Sequence, residues 1–215
     1  IGPSGAGKTT FLNALNRLNP ANLTVSGKVY FKGIDIYQKN VDVYRLRMFL
    51  GMLFAQPEIF PCSLAENLFL APRYNLKASR RFLLAKSEHV LRQVHLWKKL
   101  KDQLFKKNIR LNAVDSQLFC LARLLLLSPQ VLLLDEPTSL FDQTDTFKFE
   151  EILDELRSQQ TIILVTHNLQ QAARISDYTA FFQAGQLVET GLTEELFTSP
   201  QSSRTNDYLA KKLKK

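Results

Sequence analysis

Gly2-Pro3-Ser4-Gly5-Ala6-Gly7-Lys8-Thr9 fills every fixed position of G-x-x-x-x-G-K-[ST], the pattern of a phosphate-binding loop. Glycines let the backbone turn so that successive N–H groups face phosphate oxygens, and the N-terminus of the following helix adds its dipole. Lys8 supplies a positive charge for the phosphates, and Thr9 offers its hydroxyl to a magnesium ion. Residues 2–10, with Thr10 included, are therefore predicted to bind a nucleoside triphosphate and Mg²⁺.

The residues on either side of this loop predict the secondary structure that surrounds it. Phe11, Leu12 and Leu15 recur at helical spacing, which predicts that the loop opens a helix. A phosphate-binding loop follows a buried strand, yet the chain starts at Ile1 without an initiator Met. We therefore expect that the N-terminal strands of the domain are missing from this sequence.

Composition narrows the class of protein. The chain has 215 residues, 45% of them hydrophobic, which is enough for one sizeable core or a core with a smaller subdomain. No apolar run approaches the roughly 18 residues of a membrane helix, so a membrane role would be peripheral. Cys62 and Cys120 form no ligand or disulfide pattern, which fits a reducing cytosol.

The net charge of +8 raises the question of nucleic-acid or anionic-membrane binding. The two basic clusters, Lys98 to Lys107 and Lys211 to Lys215, alternate with Leu, Asp and Phe, as solvated helix faces do. We therefore expect no nucleic-acid partner.

Periodicity along the chain predicts an α/β fold with a mainly parallel sheet flanked by helices, and the phosphate-binding loop indicates that this fold is of the P-loop NTPase type. Val131 to Leu134 and Thr161 to Thr166 indicate buried parallel strands joined by a crossover helix over Phe147 to Leu156. A small antiparallel unit is predicted from Val29 to Phe31 and from Ile34 to Ile36. The predicted organisation is a single domain over 1–215, with a nucleotide-binding core at 1–60 and 129–200, a helical subdomain at about 61–128 and a basic tail at 201–215. The helical subdomain is expected to begin with a capping box at 63–66 and to continue in helical patterning from Lys77 to Lys107.

A pair of carboxylates follows the first of these strands. Asp135 and Glu136 stand at the carboxyl end of a predicted parallel strand, where such sheets present ligands. Asp135 is suited to hold Mg²⁺, and Glu136 to orient or deprotonate an attacking water. The alternative is a strand-end turn with two solvated acids, but the phosphate-binding loop in the same chain favours the catalytic interpretation.

In order and spacing, Gly2 to Thr9, Leu132 to Pro137, Ser139 to Asp142 and Thr166 to Asn168 resemble an ABC transporter nucleotide-binding domain. The resemblance extends over essentially the whole chain. Within this family the sequence is most similar to the ATP-binding subunits of bacterial phosphate importers. The similar segments are Val41 to Val43, Gly51 to Phe54, Ile163 to Asn168, Gln170 to Arg174 and Arg204 to Tyr208.

The resemblance implies a function and partners. Such domains pair head to tail and bury two ATP molecules between the phosphate-binding loop of one protomer and a signature loop of the other. Asp142 would lie at that dimer interface, and His167 would contact the γ-phosphate. A strand-terminal histidine satisfied by its neighbours is the alternative for His167. Segment 56–67 would contact transmembrane permease subunits at the cytoplasmic face of the membrane, where the chain would be peripheral.

The sequence departs from the family pattern in two places. The signature L-S-G-G-Q falls at Leu111 to Asp115, which reads L-N-A-V-D, so the serine hydroxyl and both glycines are absent. Asn112 could replace the hydroxyl, whereas Asp115 adds a negative charge near phosphate. Loss of one preorganised donor commonly costs about 10²–10³ in rate, which predicts slow turnover in a homodimer. The glutamine that senses Mg²⁺ falls on Ala55 without gaps, and only a local slip would bring Gln56 into that role.

These observations leave several hypotheses open. The first is an ATP-hydrolysing subunit of a phosphate-type importer, with a second nucleotide-binding subunit in a homo- or heterodimer. The second is an ATP-binding but hydrolytically impaired subunit that works only with an intact partner, and the third is an eroded copy. A soluble ABC-type ATPase of translation or repair would carry tandem domains or long coiled-coil insertions, neither of which this sequence contains. A simple P-loop kinase would not combine Asp135, Glu136, Asp142 and His167 in this order.

Overall fold

A computed structural model describes residues 1–76 and 79–213 of the chain. In chain order, the elements are α1 (Lys8–Leu15), β1 (Tyr30–Phe31), β2 (Ile34–Asp35), α2 (Val43–Phe49), β3 (Leu50–Leu53), α3 (Leu64–Leu76), α4 (Arg80–Gln93), α5 (Trp97–Leu100), α6 (Ala113–Leu125), β4 (Val131–Asp135), α7 (Gln143–Leu156), β5 (Thr161–Val165), α8 (Leu169–Ile175), β6 (Tyr178–Gln183), β7 (Gln186–Leu192), α9 (Thr193–Thr198) and α10 (Ser203–Leu213).

The chain divides into two compact units. The first comprises Ile1–Val43 and Leu164–Lys215, and the second comprises Tyr44–Ile163. These boundaries differ from the predicted ones at 61 and 128, and the predicted division stays a prediction.

The first unit contains two antiparallel strand pairs. Strands β1 and β2 pair Tyr30 with Asp35 and Phe31 with Ile34, which confirms the predicted short antiparallel unit. Strands β6 and β7 form a longer antiparallel pair. A hydrophobic core lies against the longer pair, and its buried members are Ile1, Leu169, Ala172, Phe181, Leu196 and Leu209.

The C-terminal segment, predicted from the sequence only as a basic tail, contains a helix. Residues 203–213 form α10, in which Thr205 and Leu209 are buried one helical turn apart. The ring of Tyr208 stacks on Phe181, with 4.8 Å between centroids. The basic residues had hidden this pattern, because an amphipathic helix can carry lysines on one face and a short apolar stripe on the other.

The second unit contains a helical cluster in which α3, α4 and α6 pack against one another. The predicted capping box is confirmed at the start of α3, where the backbone N–H of Ser63 donates to Glu66 Oε2 at 2.9 Å. In return, the Glu66 N–H donates to Ser63 Oγ at 3.2 Å. The helical pattern predicted up to Lys107 is realised as α4 and α5, whereas residues 101–105 form turns and residues 106–112 are bends and irregular backbone. Lys77, where that pattern was expected to begin, lies outside the described residues.

Strands β3, β4 and β5 form a three-stranded parallel sheet in that order. Four consecutive residues of β3 pair with β4, from Leu50 with Val131 to Leu53 with Leu134. Leu132, Leu133 and Leu134 are almost completely buried, as the continuous aliphatic run predicted. The same prediction is wrong for most of β5, where Thr161 is exposed and residues 162–164 are half-buried, because β5 lies at the end of this three-stranded order. With helices beside this sheet, the predicted α/β class is confirmed. None of the helices in the described part of the chain is long and apolar enough to cross a membrane.

Candidate nucleotide-binding site

The phosphate-binding loop runs from Gly2 to the first turn of α1, and two of its glycines are required by the backbone. A Cβ on Gly2, at φ 146°, would lie 2.1 Å from the carbonyl oxygen of Phe182. Gly7 is the N-cap of α1 and has a left-handed φ of 93°. Only glycine fits both positions, so the motif reflects local geometry as well as ligand chemistry.

The loop is fastened to strands β6 and β7 of the same unit. The nitrogen of Ile1 donates to the Ala180 carbonyl at 2.8 Å, and the Phe182 N–H donates to the Ile1 carbonyl at 2.9 Å. This is the hydrogen-bond pattern of one parallel bridge between Ile1 and Phe181. Further along, the Gly185 N–H donates to the Ala6 carbonyl at 3.1 Å. The loop thus leaves a buried, strand-like residue, which is the context expected of a phosphate-binding loop.

Lys8 is 8% exposed although it carries a charge. Its Nζ donates to the carbonyl oxygens of Gly2 and Pro3, at 2.9 Å each. These bonds use two of the three donors of the ammonium group and hold it against the loop backbone. Ser4, Gly5, Thr9 and Thr10 are exposed. The loop therefore combines a positioned positive charge with a helix N-terminus, an arrangement that suits phosphate.

The two predicted carboxylates lie where β4 ends. Asp135 is the last residue of the strand and is 7% exposed. Glu136 follows with a left-handed φ of 47°, which is uncommon for a residue with a side chain and costs about 1–2 kcal/mol. The Ser139 N–H donates to the Glu136 carbonyl at 3.1 Å and closes the turn. Six other non-glycine residues of the described chain share such a φ, among them Lys32 and Ala184 in hairpin turns, so this conformation belongs to the turn and does not by itself mark a functional site.

His167 and Asp142 occupy short turns at helix starts. His167 is exposed, between β5 and α8. The side chain of the next residue, Asn168, caps α8 by accepting from the Gln171 N–H at 3.0 Å. Asp142 is the exposed N-cap of α7, and its Oδ1 accepts from the Asp145 N–H at 2.7 Å. Asp142 thus has a capping function in the protomer, and its role at a dimer interface stays a prediction.

The segment in the position of the signature, 111–115, forms the start of α6. Asn112 is the N-cap, and its Oδ1 accepts from the Asp115 N–H at 2.7 Å. Asp115 is 8% exposed, and its carboxylate forms an ion pair with Lys99. The sequence predicted an additional negative charge here, and the structure shows this charge beside a lysine from α5. The amide oxygen of Asn112 is likewise engaged within its own helix.

Gln56 is exposed in the turn that follows β3. Its predicted role as a sensor of Mg²⁺ stays a prediction. The loop that contains Gln56 contacts three residues to which the sequence assigned no role. Gln117 bonds to the Phe54 carbonyl, and Asn67 and Arg123 contact Phe60. The only signal in the sequence was that Gln117 and Arg123 are polar residues in the mainly apolar helical stretch from 117 to 125.

The predicted site residues are distributed over both units. Residues 2–10 and His167 belong to the first unit, and Gln56, Asp135, Glu136 and Asp142 belong to the second. Within the second unit, the structure brings Asp135 and Glu136 together in one turn.

A family model described as ABC transporter matches residues 1–139 of the chain. The chain therefore belongs to the ABC transporter family. Its curated relatives include the phosphate import ATP-binding protein PstB 1 of Lactobacillus acidophilus, which is 46% identical over 97% of this chain and 79% of the relative. PstB 1 of Lactiplantibacillus plantarum is 45% identical over 98% of this chain and 78% of the relative. PstB 2 of Listeria monocytogenes is 44% identical over the same shares.

Proposed function

We propose that this chain is the ATP-binding and ATP-hydrolysing subunit of a phosphate importer of the ABC type. The observation that carries the proposal is the phosphate-binding loop, in which Lys8 is fixed on the Gly2 and Pro3 carbonyls at the start of α1. The relatives, which are named for phosphate import and are 44–46% identical over nearly the whole chain, support the choice of solute.

In this proposal, different residues bind the phosphates and the magnesium ion. Backbone N–H groups of residues 2–10 and the ammonium of Lys8 bind the phosphates of ATP. Thr9 and Asp135 would hold Mg²⁺, whose chemistry is to neutralise charge on the transferred phosphoryl group. Oxygen donors of these two types suit that cation.

Catalysis of hydrolysis is assigned to Glu136 and His167. Glu136 would orient or deprotonate the attacking water, and His167 would contact the γ-phosphate. The position of Glu136 supports this role, because it directly follows the buried Asp135 at the carboxyl end of β4, where a parallel sheet presents ligands. Gln56 is included as a residue that senses Mg²⁺, and Asp142 as a residue of the dimer interface.

The proposed partners are a second nucleotide-binding subunit and transmembrane permease subunits. The chain would bind peripherally at the cytoplasmic face of the membrane, with segment 56–67 towards the permease. Nucleic acid has no part in this function.

A second candidate function is favoured by the start of α6. There Asn112 caps its own helix and Asp115 is paired with Lys99, so this segment lacks the glycine backbone and the serine hydroxyl of the family signature. Such a subunit would bind ATP, and efficient hydrolysis would depend on a partner with an intact signature.

Steady-state Mg·ATPase activity separates these functions. It is measured for the chain alone and for the chain mixed with a signature-intact homologous subunit, with Glu136→Gln as the blank. Activity of the chain alone supports the first function, and activity only in the mixture supports the partner-dependent one. ATP binding without hydrolysis in either case would leave a nucleotide-binding module, and absence of both would identify an eroded copy.

The solute is tested in proteoliposomes that contain permease subunits of a phosphate importer. ATP-dependent uptake of labelled phosphate, with sulfate as the competing oxyanion, is expected with the chain and not with Glu136→Gln. If ATP does not drive uptake of labelled phosphate, or if sulfate competes as well as unlabelled phosphate does, the assignment of the solute is wrong.

A further inference from the structure

The loop between β3 and α3, residues 54–63, is held by one face of α6. Gln117 Nε2 donates to the Phe54 carbonyl at 2.8 Å. One helical turn further on, the thiol of Cys120 donates to the Glu58 carbonyl, with 3.6 Å between sulfur and oxygen. Residues three apart on a helix share a face, so both contacts come from the same side of α6.

Arg123, a further three residues along this face, holds the second half of the loop. Its guanidinium carbon lies 5.0 Å from the centroid of the Phe60 ring. Phe60 is also fixed through its backbone, because its N–H donates to Asn67 Oδ1 at 2.9 Å and its carbonyl accepts from Asn67 Nδ2 at 3.1 Å. The same Asn67 Oδ1 lies 3.5 Å from Arg123 Nη1. The loop, α3 and α6 are thus joined at one point.

The residues of α3 and α6 that make most of these contacts are buried. Gln117 is 1% exposed and Cys120 is 4% exposed, and Asn67 is completely buried. Burial raises the pKa of the Cys120 thiol, so the group stays protonated as a donor near neutral pH. The loop itself displays Phe54 and Phe60 to solvent, at 51% and 37% exposure. Its backbone is therefore fixed on the inside while its aromatic side chains face outward.

The helix that holds the loop is the same helix whose first turn occupies the signature position. Helix α6 has 13 residues and corresponds to a rod of about 20 Å. Its N-cap is Asn112, and its first turn is tied to Lys99 through Asp115. A displacement of the loop would therefore reach the first turn of α6 through a single rigid element.

We infer that Gln117, Cys120 and Arg123 are positioning residues that couple loop 54–63 to the N-terminal turn of α6. A partner that presses on the loop thereby moves the segment 112–115. The identification of this partner as a permease subunit rests on the proposed function. The inference adds to that function a specific mechanical link within the second unit.

The first test needs neither a permease nor hydrolysis. Amide hydrogen exchange is compared for the unaltered chain, Gln117→Leu and Arg123→Met. Gln103→Leu is the matched control, because Gln103 Nε2 also donates to a backbone carbonyl, that of Lys99 at 3.2 Å, but does not hold the loop. We expect both test variants to raise exchange at least about threefold in loop 54–63 and in the first turn of α6, and the control to change neither.

Faster exchange in the loop alone, with the first turn of α6 unchanged in both variants, would overturn the inference. Arg123→Met retains most of the side-chain stem, so it decides the outcome if Gln117→Leu does not fold.

The second test measures ATP hydrolysis with and without permease subunits in lipid. Stimulation is expressed as the ratio of the rates with and without permease, so that a change in the permease-free rate cancels. This ratio should fall most of the way to one in Gln117→Leu and Arg123→Met, whereas Gln103→Leu should keep the ratio of the unaltered chain. Full stimulation in the two test variants would contradict the inference. If the unaltered chain shows no stimulation, the proposed function fails, and hydrogen exchange still decides whether the link within the unit exists.

Discussion

Two helix starts, those of α1 and α6, were expected to serve the same kind of ligand, and the structure equips them differently. The N-cap of α1 is Gly7, which has no side chain to occupy the amide donors of the first turn. The N-cap of α6 is Asn112, whose side chain accepts from the Asp115 N–H. The first arrangement suits a ligand that brings its own oxygen atoms, whereas the second is partly satisfied within the chain.

The charges follow the same division. The ammonium of Lys8 is held by loop carbonyls, which do not neutralise it. The carboxylate of Asp115 is paired with Lys99, so its charge is compensated locally. A helix start that retains its charge and has no capping side chain is suited to nucleotide binding, whereas a capped and paired one is stabilised as structure. We expect ATP binding to be strong and hydrolysis by the chain alone to be weak.

The largest expected effect concerns Lys8. Lys8→Met removes the positive charge at the phosphates, and we expect ATP turnover to fall by about 10²–10³. ATP at a hundredfold excess over Kd should stabilise the unaltered chain by about 2.7 kcal/mol in thermal unfolding, and this stabilisation should be mostly lost. Lys28→Met changes an exposed lysine of the same unit and should bind ATP normally. If Lys8→Met binds ATP as well as the unaltered chain does, the start of α1 is not the nucleotide site.

The next effect concerns the backbone at Gly2. Gly2→Ala would place a methyl group 2.1 Å from the Phe182 carbonyl oxygen, and the strain should lower the free energy of unfolding by about 2–4 kcal/mol. Urea denaturation measures this loss. Gly191→Ala, where an added Cβ meets nothing within 4 Å, is the matched control and should change stability little. Equal stability of the two variants would mean that the loop is not fastened to β6 as described.

The third effect concerns the signature position at the start of α6. The combined change Asn112→Ser, Ala113→Gly, Val114→Gly and Asp115→Gln returns the hydroxyl and both glycines, and turnover of the chain alone should rise at least about tenfold. Asn112→Ser alone retains an N-cap and should leave turnover nearly unchanged. If the variant with all four substitutions hydrolyses ATP no faster than the unaltered chain, the signature position does not limit turnover.

The smallest effect concerns the ion pair. Lys99 is 54% exposed in its side chain, so Lys99→Met should cost only about 0.5 kcal/mol in urea unfolding. The loss should vanish in an Asp115→Asn background and shrink at high salt, which a double-mutant cycle at two salt concentrations would measure. Lys98→Met alters the neighbouring exposed lysine and serves as the control. A loss that persists in the Asp115→Asn background would show that Lys99 acts through packing instead.

Features that depend on residues close in sequence were the ones predicted correctly. The helix after the loop, the antiparallel unit at 30–35, the capping box at Ser63 and the buried strand at 131–135 all follow from local patterns. Helix α10 was missed because its basic composition masked an apolar stripe that only packing on Phe181 makes evident. The contact of Gln117 with Phe54 joins residues 63 positions apart, and no local pattern predicts such a pair.

The sequence by itself determined the α/β class, the phosphate-binding loop, the paired carboxylates and the altered signature, because motif chemistry and hydrophobic periodicity are written in neighbouring residues. Only the tertiary structure decided that Ile1 enters the loop paired with β6, that Gln117 holds the Phe54 carbonyl and that Lys99 compensates Asp115. Each of these depends on where distant backbone segments meet, and hydrogen bonds and charges between such segments are fixed by packing of the folded chain.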